Sequence, residues 1–297
     1  GALKGIGKTI LMQMLGLSVA SATPWLGLFD VPTSYKVLFL QKEIDNEAFS
    51  ERITQMLKLY PRLNPENFLV PDREDIHPVK LDTRAGLALL EQMLVCYKPN
   101  LLMLDPIVWF HNSNEDLATD VKKITEGLTY FSDKYDMSVV VSHHFKKPGH
   151  DFKGHQFDQG MQDFRGSGVW ADWSDTAIWM NPRGNDRVVL NYFCRNGHDQ
   201  PMDLLLTLNR KTSGFEAEVQ GFPTTAGELE AVRILGRTTN HEMLYSSLVY
   251  ELVKGKVGPR QAPMIISALE AKRNVYYIRT GANRMVRLVS PGMKAWI

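Results

Sequence analysis

The eight residues Ala2-Leu3-Lys4-Gly5-Ile6-Gly7-Lys8-Thr9 constrain this chain more than any other stretch. They fit the pattern of a phosphate-binding loop, with Ala2 where the first glycine usually stands. That first position makes a turn and no phosphate contact, so the departure is mild. The spacing has a chemical logic. Gly5 and Gly7 let the backbone N–H groups at Gly5, Ile6 and Gly7 curl around phosphate at a helix start, where the helix dipole also favours an anion. Lys8 is placed to reach the β- and γ-phosphates, and the Thr9 hydroxyl to ligate magnesium. A loop of this kind needs a strand to hold it, and no strand-like run precedes it here, so a preceding strand is expected.

The pattern downstream alternates helices with strands. Thr9–Ala22 reads as a mostly apolar helix, Lys36–Leu40 as a strand buried on both faces, and Asn46–Leu59 as an acidic helix. Thr83–Tyr97 and Asp116–Tyr135 are two more helices, while Leu101–Leu104 and Ser138–Val141 are apolar strands. Such alternation predicts an α/β fold with a mostly parallel sheet, and ligands in that architecture bind at the carboxyl ends of the strands. Glu43, Asp105 and His143-His144 lie at those ends. Asp105 closes its strand, the place for a carboxylate that orients magnesium through water, though it also suits the cap of a turn before Pro106. Pro106 takes the position where many such proteins carry a water-activating glutamate. Glu43 is the candidate for that work, with an exposed acid at a helix start as its bland alternative.

The segment Phe145–Phe164 is rich in Gly, His, Lys and Asp and poor in aliphatics, which suits a functional loop. Strand-like runs return at Arg187–Phe193 and Leu204–Leu208. From Thr225 the pattern becomes three helices, Ala226–Leu235, His241–Val253 and Pro259–Arg273, then strands Val275–Arg279 and Met285–Val289 around a turn. Three helices followed by a hairpin is the winged-helix order. The expected domains are therefore 1–223 and 224–297. The net charge of +1 hides an asymmetry: Thr224–Ile297 holds 11 Lys/Arg against 5 Asp/Glu, while the rest is mildly acidic. A small basic domain points to nucleic acid. Neither a membrane-length apolar run nor a signal-peptide pattern is present, and the two isolated cysteines suit a reducing cytoplasm.

The motifs, in their order and spacing, resemble the RecA-like superfamily, and within it the AAA_25-like hexameric plasmid RepA-type replicative helicases and their mobile-element and phage relatives. The resemblance spans about Ala2 to Val219. It rests on Ala2–Thr9, Phe39-Leu40-Gln41-Lys42-Glu43, Leu101–Asp105, Phe110-His111 through Asn114-Glu115-Asp116, Val141–His144 with Lys146-Lys147, Arg165-Gly166-Ser167-Gly168, and Arg195-Asn196-Gly197. It implies a RecA-like core using ATP and magnesium; the winged-helix domain, read from the helix and hairpin order alone, is an addition that the plasmid helicases do not generally carry. By resemblance Glu43 is the catalytic glutamate and the His143-His144 pair is the γ-phosphate sensor. A histidine pair can also ligate zinc or pack a strand end, but no Cys or acidic cluster supports zinc. Phe145–Phe164 corresponds to the channel loop that grips single-stranded DNA, with Lys146, Lys147 and Lys153 for its phosphates. Arg195 resembles the arginine finger that reaches a neighbouring subunit's ATP. The lysine usually found two residues earlier is Phe193 here, and Arg165 is the other candidate.

The resemblance further implies a homo-oligomeric ring, a hexamer in the plasmid helicases, with no membrane partner. The winged helix is expected to meet duplex DNA through Arg260, Lys272 and Arg273 of its third helix and Arg279, Arg284 and Arg287 of its hairpin, or else to dock protein. ATP-driven DNA translocation and unwinding is the leading expectation. A filament-forming repair or recombination ATPase is a second. A DNA-binding regulator whose nucleotide site switches its oligomeric state is a third.

Overall fold

The structure is a computed structural model; it describes residues 5–145, 160–164, 168–184, 186–196, 203–217, 225–272 and 274–289. The chain divides into two compact units. The first holds Gly1–Lys146, Met161–Ala177 and Leu208–Glu216, and the second Lys147–Gly160, Ile178–Thr207 and Ala217–Ile297. The expected boundary at 223/224 lies outside the described residues.

The first unit is built on a parallel sheet of β1 (Val37–Gln41), β2 (Phe68–Leu69), β3 (Leu101–Asp105) and β4 (Ser138–Val141), in the order β2-β1-β3-β4. Every residue of β1 and β3 is buried, which their unbroken apolar runs require of a sheet covered on both faces. Alternation along the strands then sorts side chains between two cores. Leu38, Leu40, Leu102 and Leu104 enter one core, with Leu90 and Leu94 of α4 (Arg84–Tyr97) and Val121, Ile124 and Leu128 of α5 (Ala118–Tyr135). Val37, Phe39, Leu101 and Met103 enter the other, with Met12 and Ala20 of α1 (Lys8–Ser21) and Phe49 of α2 (Asn46–Met56). The short helices α3 (Arg73–Ile76) and α6 (Val169–Trp173) complete the unit's helices among the described residues.

Register decides where chemistry can occur. Gln41 pairs with Asp105, and Leu104 with Val141. The three strands therefore end within one residue of one another, and the residues that follow them emerge close together.

A second four-stranded sheet runs β5-β6-β7-β8, from β5 (Thr176–Pro182), β6 (Arg187–Cys194), β7 (Leu204–Asn209) and β8 (Gly214–Ala217). The second unit also contains α7 (Ala226–Gly236), β9 (Glu242–Leu244), α8 (Tyr245–Lys254), α9 (Gln261–Ala271) and the hairpin β10 (Val275–Thr280) and β11 (Asn283–Leu288). Thr225 and Glu228 form a reciprocal capping box that starts α7. The three helices and hairpin share a core of Leu235, Leu248, Ile266, Leu269, Val275 and Val286. The hairpin's other side, Tyr276 and Ile278, packs with Val189 and Leu205 of β6 and β7.

One expected helix begins late. The periodicity predicts a single helix over His241–Val253, but α8 starts at Tyr245, and Glu242–Leu244 forms β9, antiparallel to β11. Asn240 and His241, with φ of 59° and 53°, turn the chain just before it. A three-residue strand has no periodicity of its own; pairing of Glu242 with Arg287 and of Met243 with Val286 creates it. The end of Asn46–Leu59 also departs, since Leu57–Leu59 tightens into a 3-10 turn.

Candidate active site

The loop before α1 has the backbone that phosphate cradling requires. Gly5 and Gly7 adopt φ of 83° and 94°, a region that disfavours any side chain. Gly7 is doubly constrained, because a Cβ there would lie 2.8 Å from Cζ of Phe215 in β8. No acidic residue occupies the first turn of α1, so its N-terminal N–H groups and positive dipole end face no side-chain carboxylate from that turn.

Lys8, the first residue of α1, sends its ammonium 3.0 Å from Nδ1 of His144. Burial lowers the Lys8 pKa, and the negative charges of Asp105 and Glu43 oppose that shift. Asp105 is itself only 1% exposed at the end of β3. Burial pushes its carboxyl pKa up, against hydrogen bonds from Ser142 and Thr9, while the charge of Glu43 adds to the rise and that of Lys8 opposes it. The Ser142 hydroxyl donates to Asp105 Oδ1. A carboxylate flanked by two hydroxyls is an all-oxygen donor set that suits a hard cation such as magnesium. Among the described residues, no cluster of His, Cys, Asp and Glu offers another metal site.

Glu43 stands exposed on the turn after β1, within electrostatic reach of both Lys8 and Asp105. The structure thus gathers the adjacent Lys8 and Thr9 with Glu43, Asp105 and His144 from distant parts of the sequence. It also separates the two histidines. His144 faces Lys8, whereas His143 is buried, stacked on Phe164 with ring centroids 6.2 Å apart, and packed against Trp170. Its Nδ1 lies 3.7 Å from Glu115, which also approaches His111 at 3.7 Å. His144 is therefore the histidine seen against the phosphate-loop lysine.

Sequence reasoning missed Ser142, whose small hydroxyl at a strand end carries no motif, and it assigned no task to Gln41 or Lys42. These two are buried, although they sit between an apolar strand and an exposed acid.

The family described as an AAA domain, AAA_25, matches residues 1–150, half of the chain and the part that holds this site. The chain belongs to that AAA family. It is a P-loop ATPase, built to bind and hydrolyse nucleotide, and no curated protein matches it.

The remaining candidates of the AAA protein belong to the second unit or fall outside the described residues. Arg195 is exposed immediately after β6, in the second unit. Lys146, Lys147, Lys153, Arg165 and Arg273 fall outside the described residues. Arg260 is exposed before α9, and Arg284 is exposed with its guanidinium 3.5 Å from the centroid of the Tyr277 ring. Two other basic residues expected at the surface are engaged within the protein. Lys272 bonds both oxygens of the buried Glu228, at 2.8 and 2.7 Å. Arg287 bonds Asp203 at 2.9 Å and also Glu242, so its charge is spent on holding β11 to its neighbours. Among the described residues, no helix is long and apolar enough to cross a membrane.

Proposed function

We propose that this ATPase is a DNA translocase and helicase that hydrolyses ATP at the subunit interfaces of a homo-oligomeric ring. The observation that carries the proposal is the position of His144. It contacts Lys8 on one side, and on the other is followed at once by Phe145, which pairs with Phe164 through backbone and ring, the centroids 5.1 Å apart. In the sequence, Phe145 and Phe164 flank the segment bearing Lys146, Lys147 and Lys153. A change at the γ-phosphate, felt by His144, is therefore one residue from the segment proposed to grip single-stranded DNA.

In this reading Lys8 and the N–H groups of the glycine loop hold the phosphates. Thr9 and Asp105 would hold magnesium, which supplies charge neutralisation on the β- and γ-phosphates. Glu43 accepts the proton of the water that attacks the γ-phosphorus, and His144 reads whether that phosphate is still attached. Arg195 of a neighbouring subunit adds positive charge to the transition state. The second unit's order of helix, short strand, two helices and hairpin, with its sheet ordered β10-β11-β9, supports reading it as a winged helix, and Arg260, Arg273 and Arg284 are its proposed duplex contacts.

The test is unwinding of a tailed duplex with ATP, with Arg195→Ala and Lys8→Ala subunits assayed alone and mixed. Unwinding by the parent is expected, with neither variant active alone and partial ATP turnover restored on mixing, since one interface then pairs an intact loop with an intact arginine. Strand exchange without unwinding would make the protein a recombination ATPase. Duplex binding with neither activity would make it a nucleotide-switched regulator.

A further inference from the structure

We infer that Gln41 and Lys42 are positioning residues for Glu43, together forming a clamp that holds the water-activating carboxylate at the end of β1. The inference rests on the proposed role of Glu43. Its basis is an inversion of the usual burial order. Glu43 is exposed, while the two polar residues just before it are 3% and 5% exposed. A buried ammonium is costly unless its hydrogen bonds are met, and those of Lys42 are met by backbone alone. Its Nζ donates to the carbonyls of Val79 at 2.7 Å, His77 at 3.2 Å and Trp109 at 3.4 Å, and sits 4.2 Å from the centroid of the Phe110 ring. Three N–H donors meet three carbonyl acceptors, an arrangement that an apolar residue of the same length cannot reproduce.

These acceptors belong to two turns that frame the site. His77 and Val79 follow α3, and Trp109 lies in the turn that follows Asp105. The Lys42 backbone N–H also donates to the Asp105 carbonyl at 3.0 Å. Lys42 thereby references the Glu43 turn to the strand end that carries Asp105. Lys80 reaches the same Trp109 carbonyl at 2.9 Å, so the anchor point is itself held. On the other side of the turn, Gln41 Nε2 donates to the Ile44 carbonyl at 2.8 Å, and the Ile44 N–H returns a bond to Gln41 Oε1 at 3.0 Å. This two-bond ring bridges Lys42 and Glu43. Asp45 then caps α2 through the Ala48 N–H at 2.8 Å. Residues 41, 42, 44 and 45 are each tied, and Glu43 alone projects from them.

A general base gains its effect only within a narrow range of positions, and a displacement of about 1 Å can cost on the order of a hundredfold in rate. Loosening either half of the clamp should therefore lower turnover without touching the phosphate loop. The experiment compares Lys42→Met, Gln41→Leu and Glu43→Gln, and each clamp change combined with Glu43→Gln, for kcat and for affinity of a fluorescent ATP analogue. Each clamp variant is expected to lose roughly ten- to a hundredfold in kcat with nucleotide affinity unchanged. In the Glu43→Gln background the same changes should cost nothing further, because there is no longer a base to misplace. Full turnover in both clamp variants, or an equal loss with and without Glu43, overturns the inference and leaves the role of Glu43 standing. Full activity of Glu43→Gln overturns that role and the clamp with it. Should Lys42→Met fail to fold, Gln41→Leu carries the same comparison.

Discussion

At the residue scale, Lys42 should leave a signature in stability as well as in rate. Burial, reinforced by the nearby charge of Lys80, pushes its pKa down from 10.5 to about 8. The folded state therefore holds this proton less tightly than the unfolded chain. Between about pH 8 and pH 10.5 the unfolded chain binds more protons at this position, so raising the pH through that window favours folding. Below about pH 8 both states are charged, and the penalty of the buried charge is borne in full. The expected outcome is that the urea midpoint of the parent, taken relative to Lys42→Met, rises from pH 7.5 to pH 10. The difference cancels residues that titrate alike in both proteins. A flat difference would mean that the ammonium is not buried in solution. The same residue shows a limit of sequence reading. Gln41-Lys42-Glu43 was legible as a motif at a strand end, but three carbonyl partners supplied by residues 77, 79 and 109 leave no trace in local pattern. For the same reason the adjacent letters His143 and His144 could not be told apart, although one packs on Phe164 and the other meets Lys8.

At the element scale, the start of α4 presses backbone against backbone. Thr83 caps the helix by accepting from the Gly86 N–H at 3.1 Å, and a Cβ on Gly86 would lie 2.2 Å from both the N and the O of Lys80. That turn cannot withdraw freely, because its neighbours Val79 and His77 hold Lys42. Gly86→Ala should therefore destabilise the protein by about 1–3 kcal/mol as an overpacking change, outweighing the gain of up to ~1 kcal/mol in helix propensity. Gly127 in α5 is the matched control: its Cβ would meet only Leu87 Cδ2, at 3.7 Å. Gly127→Ala should be neutral or stabilising by up to ~1 kcal/mol, and chemical denaturation of the two variants reads the contrast directly. The elements that could be read in advance were those whose signal is local. β1 and β3 are continuous apolar runs, and α4 and α5 repeat their apolar residues on one face. β2 has two residues and β9 three, and both exist because a longer neighbour, β1 or β11, offers them a pairing edge. Such strands are properties of the assembled sheet.

At the scale of the whole molecule, the charge asymmetry that pointed to nucleic acid has to be divided by what each basic group does. Lys272 and Arg287 are engaged with Glu228, Asp203 and Glu242, whereas Arg260 and Arg284 present their charge at the surface. The helix expected to read DNA offers few contacts of its own: Gln261, Met264, Ser267 and Glu270 are its exposed residues before the last, Ala271. Binding by this region should then be governed by phosphates more than by base edges. Each lost phosphate contact flattens the log–log dependence of affinity on salt by about 0.9. In the 297-residue chain, Arg260→Ala with Arg284→Ala should reduce the slope for duplex DNA by roughly 1.8, leave the melting temperature near the parent value, and weaken different duplex sequences alike. Arg287→Ala should do the reverse. It strands Asp203, which is only 8% exposed and also bonded by the Tyr276 hydroxyl, so it should lower the melting temperature while the salt slope of the folded fraction holds. Equal effects of the two changes on slope would show that Arg287 leaves its carboxylates for DNA. An absence of duplex binding by the parent at low salt would instead assign the region to protein docking, leaving the segment that follows His144 as the proposed DNA contact.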